Sequence, residues 1–253
     1  MQAADTPLPA PTLLLEVRIG KVRRLGETDI MTAIAKSVCA GPVAIEAQRV
    51  SGDEQGEAII HGGPDKSVLQ YARHHYAQWQ AEFPRSAPLF APGGFGENLV
   101  AEGWDETIMC IGDVVEIGGA LLQVAQPRSP CFKLNHRFGE QTMSRRAQQT
   151  HRTGWYYRVL QQGVIQAGDT MRIIERPLPQ WSVTRVQHYL YDEPRNQDAA
   201  HELSTMPLLA EALRTVFGRR CKTRTVEEWN SRLIDAGTAA IARGVAVAPA
   251  ERP

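Results

Sequence analysis

Short apolar runs broken by glycine dominate the first two-thirds of the chain. Leu13 to Ile19 is apolar with polar interruptions, and 32–38 and 43–50 both carry a period-two component, the signature of half-buried strands. The clearest element is a hairpin, in which Val114-Val-Glu-Ile117 and Ala120-Leu-Leu-Gln-Val-Ala125 flank Gly118-Gly119. A glycine pair between β-rich runs supplies the positive φ angles of a tight turn. Val164 to Glu175 reads as another strand pair, or as one long strand interrupted at Gly168-Asp169.

Two helices break into this β pattern. Ala72, Tyr76, Trp79 and Phe83 share one helical face within 71–83, and Pro84 stops the run. A second helix is predicted from about Glu140 to Gln149. Many short strands with inserted helices predict a mixed, mainly β fold of barrel type rather than a doubly wound sheet. The pattern changes at Arg176-Pro-Leu-Pro179, which reads as a stiff hinge. Beyond it, Ser182 is placed to cap a helix through Val183, Val186 and Leu190. Leu209, Leu213, Val216 and Phe217 form a second stripe that Gly218 is placed to end. Thr225 and Glu228 fit a capping box for a third helix around Trp229 and Leu233. The expected organisation is a leader at 1–12, a β domain at 13–176, a three-helix domain at 180–240 and a tail at 244–253.

Composition narrows the function classes. The chain has 253 residues, 43% of them hydrophobic, enough for a real core. Its 28 Lys and Arg balance 28 Asp and Glu, which argues against attachment to nucleic acid by bulk charge. No apolar run approaches the roughly 18–20 residues of a membrane span, and the N-terminal segment lacks the basic start of a signal peptide. The four cysteines, Cys39, Cys110, Cys131 and Cys221, are widely spaced without a CxxC, which disfavours a disulfide framework or a zinc or iron–sulfur site. A cytoplasmic location is expected.

Three segments could carry chemistry. In Gln126-Pro-Arg-Ser-Pro-Cys-Phe-Lys133, two prolines stiffen the approach to Cys131, and Arg128 and Lys133 flank it with charges that favour a thiolate. Such a thiolate is a nucleophile or a soft-metal ligand, and a buried inert cysteine is the alternative. His61-Gly-Gly-Pro-Asp-Lys66, followed by Arg73, combines flexible backbone with cations suited to an anion; it is not a Walker motif, and a plain turn fits it equally. Gly93-Gly-Phe-Gly-Glu-Asn98 lacks the third glycine of a dinucleotide fingerprint and presents a carboxylate and an amide from a tight loop. His74 and His75, adjacent on a helix, point apart and would not chelate one metal. The basic run Arg219 to Arg224 reads as a solvated loop or a docking surface.

Taken in order, HGGPDKSV, YARHHYAQW, GGFGENL, IGDVVEIG and QPRSPCFKLN resemble the MOSC domain, and the segment around WSVTRV resembles the YiiM branch, which adds a small three-helix domain. The resemblance covers about residues 15–240. It implies a curved β-barrel that holds a molybdenum cofactor (molybdopterin with Mo), with Cys131 as the metal ligand and catalytic residue. It also implies reduction of small N-hydroxylated substrates such as N-hydroxylaminopurines and amidoximes. Candidate cofactor contacts are His61, Gly62, Lys66, Arg73, Asn98, Arg128 and Lys133. With no iron–sulfur, flavin or nicotinamide fingerprint in the chain, the expected partner is a separate electron-donor protein. The basic run is one candidate docking surface for it, the alternative being a helical domain that simply covers one side of the barrel; all the proposed cofactor residues lie before Glu175. The alternatives are a sulfur carrier using a Cys131 persulfide and a non-catalytic cofactor carrier.

Overall fold

The structure, a computed structural model, describes residues 7–56 and 62–234. The expectations for His61, for 235–240 and for the tail at 244–253 lie outside those residues.

Seven strands close a barrel: β1 (Thr12–Ile19), β2 (Val68–Ala72), β3 (Leu99–Ala101), β4 (Val114–Ile117), β5 (Ala120–Pro127), β6 (Trp155–Gln161) and β7 (Thr170–Glu175). The order is β7-β4-β5-β6-β2-β3-β1, and β1 returns to β7 through the Thr12–Met171 and Leu13–Thr170 pairs. Among these barrel pairs only β2 and β3 run parallel. Closure removes the exposed edges that a long sheet would leave. The predicted hairpin is β4–β5, with Ile117 opposite Ala120 and Gly118 at φ 52°.

Two readings of the pattern change. Residues 164–175 form neither a strand pair nor one strand: Gly163–Ile165 pairs with Val43–Glu46 in a separate small sheet, and β7 pairs with β1 and β4. Gly168, at φ 95°, turns the chain between them. The apolar face read from Ala72 to Phe83 straddles an element boundary. Ala72 ends β2, which is buried at all five positions, and helix α1 (His75–Glu82) starts later. Strand pairing on both sides overrides the helical periodicity there.

Two further helices lie before β6: α2 (Lys133–Phe138), which the sequence pattern did not show, and α3 (Met143–Thr150). Gly139, in the left-handed conformation, ends α2.

After β7 the described residues form α4 (Val183–Gln187), α5 (Gln197–Thr205), α6 (Glu211–Thr223) and α7 (Asn230–Leu233). Ser182 caps α4 as expected, accepting from Arg185 N at 3.1 Å. Helix α6 runs through Gly218, because Phe217 and Arg220 are both buried against its neighbours. The basic run is therefore mostly helix, and Arg220 is a core residue. Its guanidinium donates to Glu227 at 2.7 Å and to the carbonyls of Tyr189 and Leu190 at 2.9 and 3.0 Å. Thr225 caps nothing; α7 begins at Asn230, whose N–H donates to Glu228 at 2.8 Å.

The barrel and these helices share one apolar core. Trp181, Val183, Leu203, Leu213 and Phe217 pack in the same cluster as Val115, Leu122 and Trp155. The proline segment is correspondingly pinned rather than hinged. Arg176 donates to both oxygens of the fully buried Asp113, at 2.9 and 2.6 Å, and Ile111 N donates to Trp181 O at 2.9 Å. Burial pushes the Asp113 carboxyl pKa up, and the Arg176 guanidinium opposes that shift. Removing one partner of such a pair strands a buried charge. Arg176→Ala is expected to lower stability by about 3 kcal/mol in urea unfolding. Arg172→Ala, which breaks an exposed pair with Glu116, should change it by less than about 0.5 kcal/mol.

Candidate functional site

Strand β5 ends at Pro127, opposite Trp155, and Arg128 N still donates to Gly154 O at 2.9 Å. The chain then leaves the barrel along Ser129-Pro130 and turns at Cys131, whose carbonyl accepts from Leu134 N at 3.0 Å as α2 begins. The Cys131 side of the loop is also gripped from the far end of the chain. Arg232 donates to Pro130 O at 2.7 Å, and its own carbonyl accepts from Phe132 N at 2.8 Å. The Leu233 carbonyl accepts from Asn135 Nδ2 at 3.0 Å and Ser144 Oγ at 2.8 Å. Cys131 ends up 8% exposed, its position set by β5 on one side and by α7 on the other.

Two cavities meet at this cysteine and share Lys66, Cys131, Lys133 and Tyr156. The first is a narrow cleft of about 90 Å³ whose walls combine charged side chains with Ile34, Leu69 and Phe95. Lys36, Lys66, Arg128 and Lys133 outnumber Asp53 and Glu54 along its walls. At its floor Lys36 Nζ is ion-paired with Asp53, and these two side chains are 8% and 4% exposed. Asp53 also accepts from Gly20 N at 2.6 Å and Asn98 Nδ2 at 2.9 Å. Asn98 Oδ1 accepts from Leu69 N at 3.1 Å, so the amide bridges β2 to the Asp53 loop. Burial pulls the Lys36 ammonium pKa down, and Asp53 opposes that shift.

The glycine loop before Asn98 serves this floor. Gly93, at φ 89°, lies so close to the Lys36 carbonyl that a Cβ would stand 2.3 Å from that oxygen. Glu97 points inward, accepting from Gly93 N at 2.6 Å, Phe95 N at 3.1 Å and the Tyr76 hydroxyl. It holds the loop and does not line either cavity.

The second cavity is larger, about 440 Å³, and mostly apolar. Phe132 and Tyr156 face it from the barrel side, and Leu213, Val216 and Trp229 from the helices.

Residues 57–172 match the MOSC domain, and residues 181–223 match the YiiM-like, 3-alpha helix domain. The protein YiiM of Escherichia coli (strain K12) is 33% identical over 219 residues, which are 87% of this chain and 97% of YiiM. The chain belongs to the YiiM-like branch of the MOSC-domain family. The crystal structure of YiiM from Escherichia coli superposes with a TM-score of 0.76 at 28% identity, covering 89% of this chain and 100% of that one. A protein of Gibberella moniliformis named "Reductase" is 40% identical over 205 residues, 80% of this chain. This MOSC chain spans only 36% of that relative's length.

Of the residues singled out in this MOSC sequence, Cys131, Arg128, Lys133, Lys66 and Asn98 line the charged cleft. Gly62 lines an adjoining groove that shares Asp53, Glu54 and Gln55 with the cleft. Arg73 lies outside both cavities, half-exposed and ion-paired with Glu102, because β2 ends at Ala72 and sends the next side chain outward. His75 is buried on Glu106 at 2.7 Å, and no group of three or more metal-ligating side chains exists among the described residues. Sequence reasoning missed Lys36, Asp53 and Tyr156. The first two come from loops with no recognisable motif, and nothing local in sequence marks them.

Does this cleft fit the cofactor that the family implies? Arg128 is 6% exposed, and its Nη1 has no hydrogen-bond partner among the described residues. A buried guanidinium nitrogen without an acceptor is an incomplete anion site. Next to it the Tyr156 hydroxyl is pushed up in pKa by burial, while Arg128 pulls it down. An unpaired guanidinium nitrogen, two lysines and a thiol converging on a narrow cleft fit the phosphate and metal end of a molybdenum–pterin group.

The grip on the Cys131 loop is testable without any cofactor. Arg232→Ala should speed alkylation of Cys131 about tenfold, as loss of roughly 1.4 kcal/mol of hydrogen bonding lets the loop open. Peptide mapping after timed iodoacetamide treatment measures it, and an unchanged rate would mean that the barrel alone sets the loop.

Proposed function

We propose that the chain is a molybdenum-cofactor-dependent reductase of N-hydroxylated compounds, with Cys131 as the metal ligand. The observation that carries this reading is the single thiol held where a cationic cleft with an unsatisfied Arg128 meets an apolar pocket. The family membership and the relative named "Reductase" support it.

Each group of the chain then has a task. Cys131 supplies the soft thiolate donor that a thiophilic metal prefers. Arg128, Lys66 and Lys133 bind the phosphate by charge-assisted hydrogen bonds. Lys36 Nζ, its pKa lowered by burial, carries a proton at the cleft floor. When bound, the cofactor supplies two-electron oxygen-atom chemistry. In the net reaction the N–O bond breaks, two electrons and two protons are taken up, and the products are the N–H compound and water. The electrons come from a separate donor protein, in a cytoplasmic setting.

Cys131→Ser should abolish molybdenum retention and activity while shifting the melting temperature by only a few degrees, because the two side chains are nearly isosteric. Metal analysis, turnover and calorimetry on the same preparation check this. Full activity with bound molybdenum would overturn the ligand assignment, and a labile extra sulfur on Cys131 in mass spectrometry would favour sulfur transfer instead. Arg128→Ala should weaken cofactor retention about tenfold or more, in line with loss of one charge-assisted hydrogen bond. Pterin content per chain after gel filtration measures that.

A further inference from the structure

Asp65 sits beside Lys66 in the motif segment and has no task in the reading above. It lies in a single turn of 3-10 helix, Pro64–Lys66, entered at Gly63 with φ 101°. The other ties of this turn are local or run to the barrel. Lys66 N donates to Gly63 O at 3.0 Å, Ser67 Oγ to Pro64 O at 2.8 Å and Ser67 N to Tyr157 O at 3.1 Å. None of these bonds fixes the turn against the helical part of the chain.

The Asp65 carboxylate does. Its Oδ1 accepts from Arg158 Nε of β6 at 2.8 Å, and Arg158 Nη1 donates to Gln123 Oε1 of β5 at 3.1 Å. Its Oδ2 accepts from Glu211 N, the first residue of α6, at 3.2 Å, across 146 positions of sequence. A helix leaves its first N–H groups without intrahelical partners, and a carboxylate near the start satisfies one of them and meets the positive end of the helix dipole. Helix α6 brings no such side chain of its own. Its N-cap is Ala210, whose N–H donates to Ala125 O at 2.9 Å. Asp65 therefore caps α6 from a distant part of the sequence, and one carboxylate joins β6, α6 and the turn that carries Lys66.

Lys66 lines both cavities at Cys131. A lysine on a loose turn spreads its ammonium over many conformations, and an anion that binds it must bear the cost of ordering them. A turn locked on two sides removes part of that cost beforehand. Asp65 also acts on the ammonium by charge: burial lowers the Lys66 pKa, and the Asp65 carboxylate opposes that shift.

We propose that Asp65 is a positioning residue, which holds the Lys66 ammonium where the two cavities meet by joining its turn to the start of α6, and through which the helical domain acts on anion binding. The proposal holds whichever cavity takes the anion. The anion-binding task of Lys66 rests on the reading above, while its placement by Asp65 does not, and the two are measured separately.

All measurements use the full chain. Asp65→Ala removes both bonds, and Asp65→Asn, which keeps an oxygen for Glu211 N, is the milder variant. Arg219→Gly is the control for a weakened helix, since Arg219 is exposed on α6 and lines neither cavity. Lys66 is acetylated with limiting acetic anhydride at neutral pH and followed by peptide mapping. Its rate should rise about tenfold in Asp65→Ala and about threefold in Asp65→Asn, as the turn opens and the ammonium loses its proton more readily. It should change less than about twofold in Arg219→Gly, which leaves the Asp65 bonds in place. Inorganic phosphate is then titrated calorimetrically into the parent, Asp65→Ala, Lys66→Met and the double variant. Each single variant should weaken binding about tenfold, and the double variant should bind no more weakly than Lys66→Met, because the two residues act as one unit.

Unchanged acetylation of Lys66 in both Asp65 variants would overturn the proposal. An equal rise in Arg219→Gly would do the same, by making the effect one of helix stability. Fully additive phosphate losses in the double variant would also overturn it, since Asp65 would then act apart from Lys66. If Lys66→Met binds phosphate as tightly as the parent, the anion task given to Lys66 fails and the effect of Asp65 on binding fails with it, while the acetylation series still decides the placement.

Discussion

The position of one side chain, Cys131, depends on hydrogen bonds that reach it from opposite ends of the fold. Arg128 N is tied to Gly154 O at the barrel mouth, and Phe132 N to Arg232 O in the last described helix. Between these anchors Pro127 and Pro130 remove conformations that the loop would otherwise sample. A thiol on a free loop would spread its positions over several ångströms, and neither cavity would then have a defined boundary. The rest of the site follows from that fixed point, because each cavity is bounded by what the barrel or the helices place beside it.

The charged floor of the cleft is costly by the same logic. Lys36 and Asp53 are a nearly buried ion pair, and such pairs seldom add net stability, since desolvation offsets the attraction. Asp53 is satisfied by Gly20 N and Asn98 as well, and the Lys36 carbonyl is held by Arg18 Nη1 at 2.9 Å. This is a fully connected polar floor, the form in which a buried network rigidifies instead of weakening a fold. Arg128 is the exception, with one nitrogen left over, and it faces the cavity. Among the described side chains that line the cleft, Arg128 alone has such a buried unsatisfied atom, as expected of a binding site.

How far the sequence foretells this differs from element to element. The β4–β5 hairpin was legible because Gly-Gly between alternating runs is a local signal, and the Ser182 cap for the same reason. The Cys131 loop was legible through its prolines and flanking cations. What escaped was non-local. Ala72 completes a helical stripe in sequence, yet it is claimed by pairing of β2 with β3 and β6. Gly218 reads as a stop, yet burial of Phe217 and Arg220 carries α6 past it. The Arg219–Arg224 run looks like surface charge because nothing nearby in sequence announces Glu227 and the Tyr189 carbonyl as partners for Arg220. Lys36 and Asp53 carry no motif, and only closure of the barrel brings them to Cys131.

These long-range contacts bear on what the helical part of the chain is for. A docking appendage would meet the barrel over a surface that could be cut at Pro177 without loss. Here the junction is the Asp113–Arg176 pair, the Trp181 side chain is 1% exposed, and one apolar cluster continues from Val115 to Phe217. A chain ended near Glu175 would expose that cluster, remove α7 from the Cys131 loop and open the apolar cavity to solvent on its helical side. Pairing Pro130 with Arg232, about a hundred residues later, is also entropically demanding, and such contacts form late in folding. The thiol therefore reaches its final setting only once α7 lies against its loop, where Arg232 holds Pro130 and Phe132.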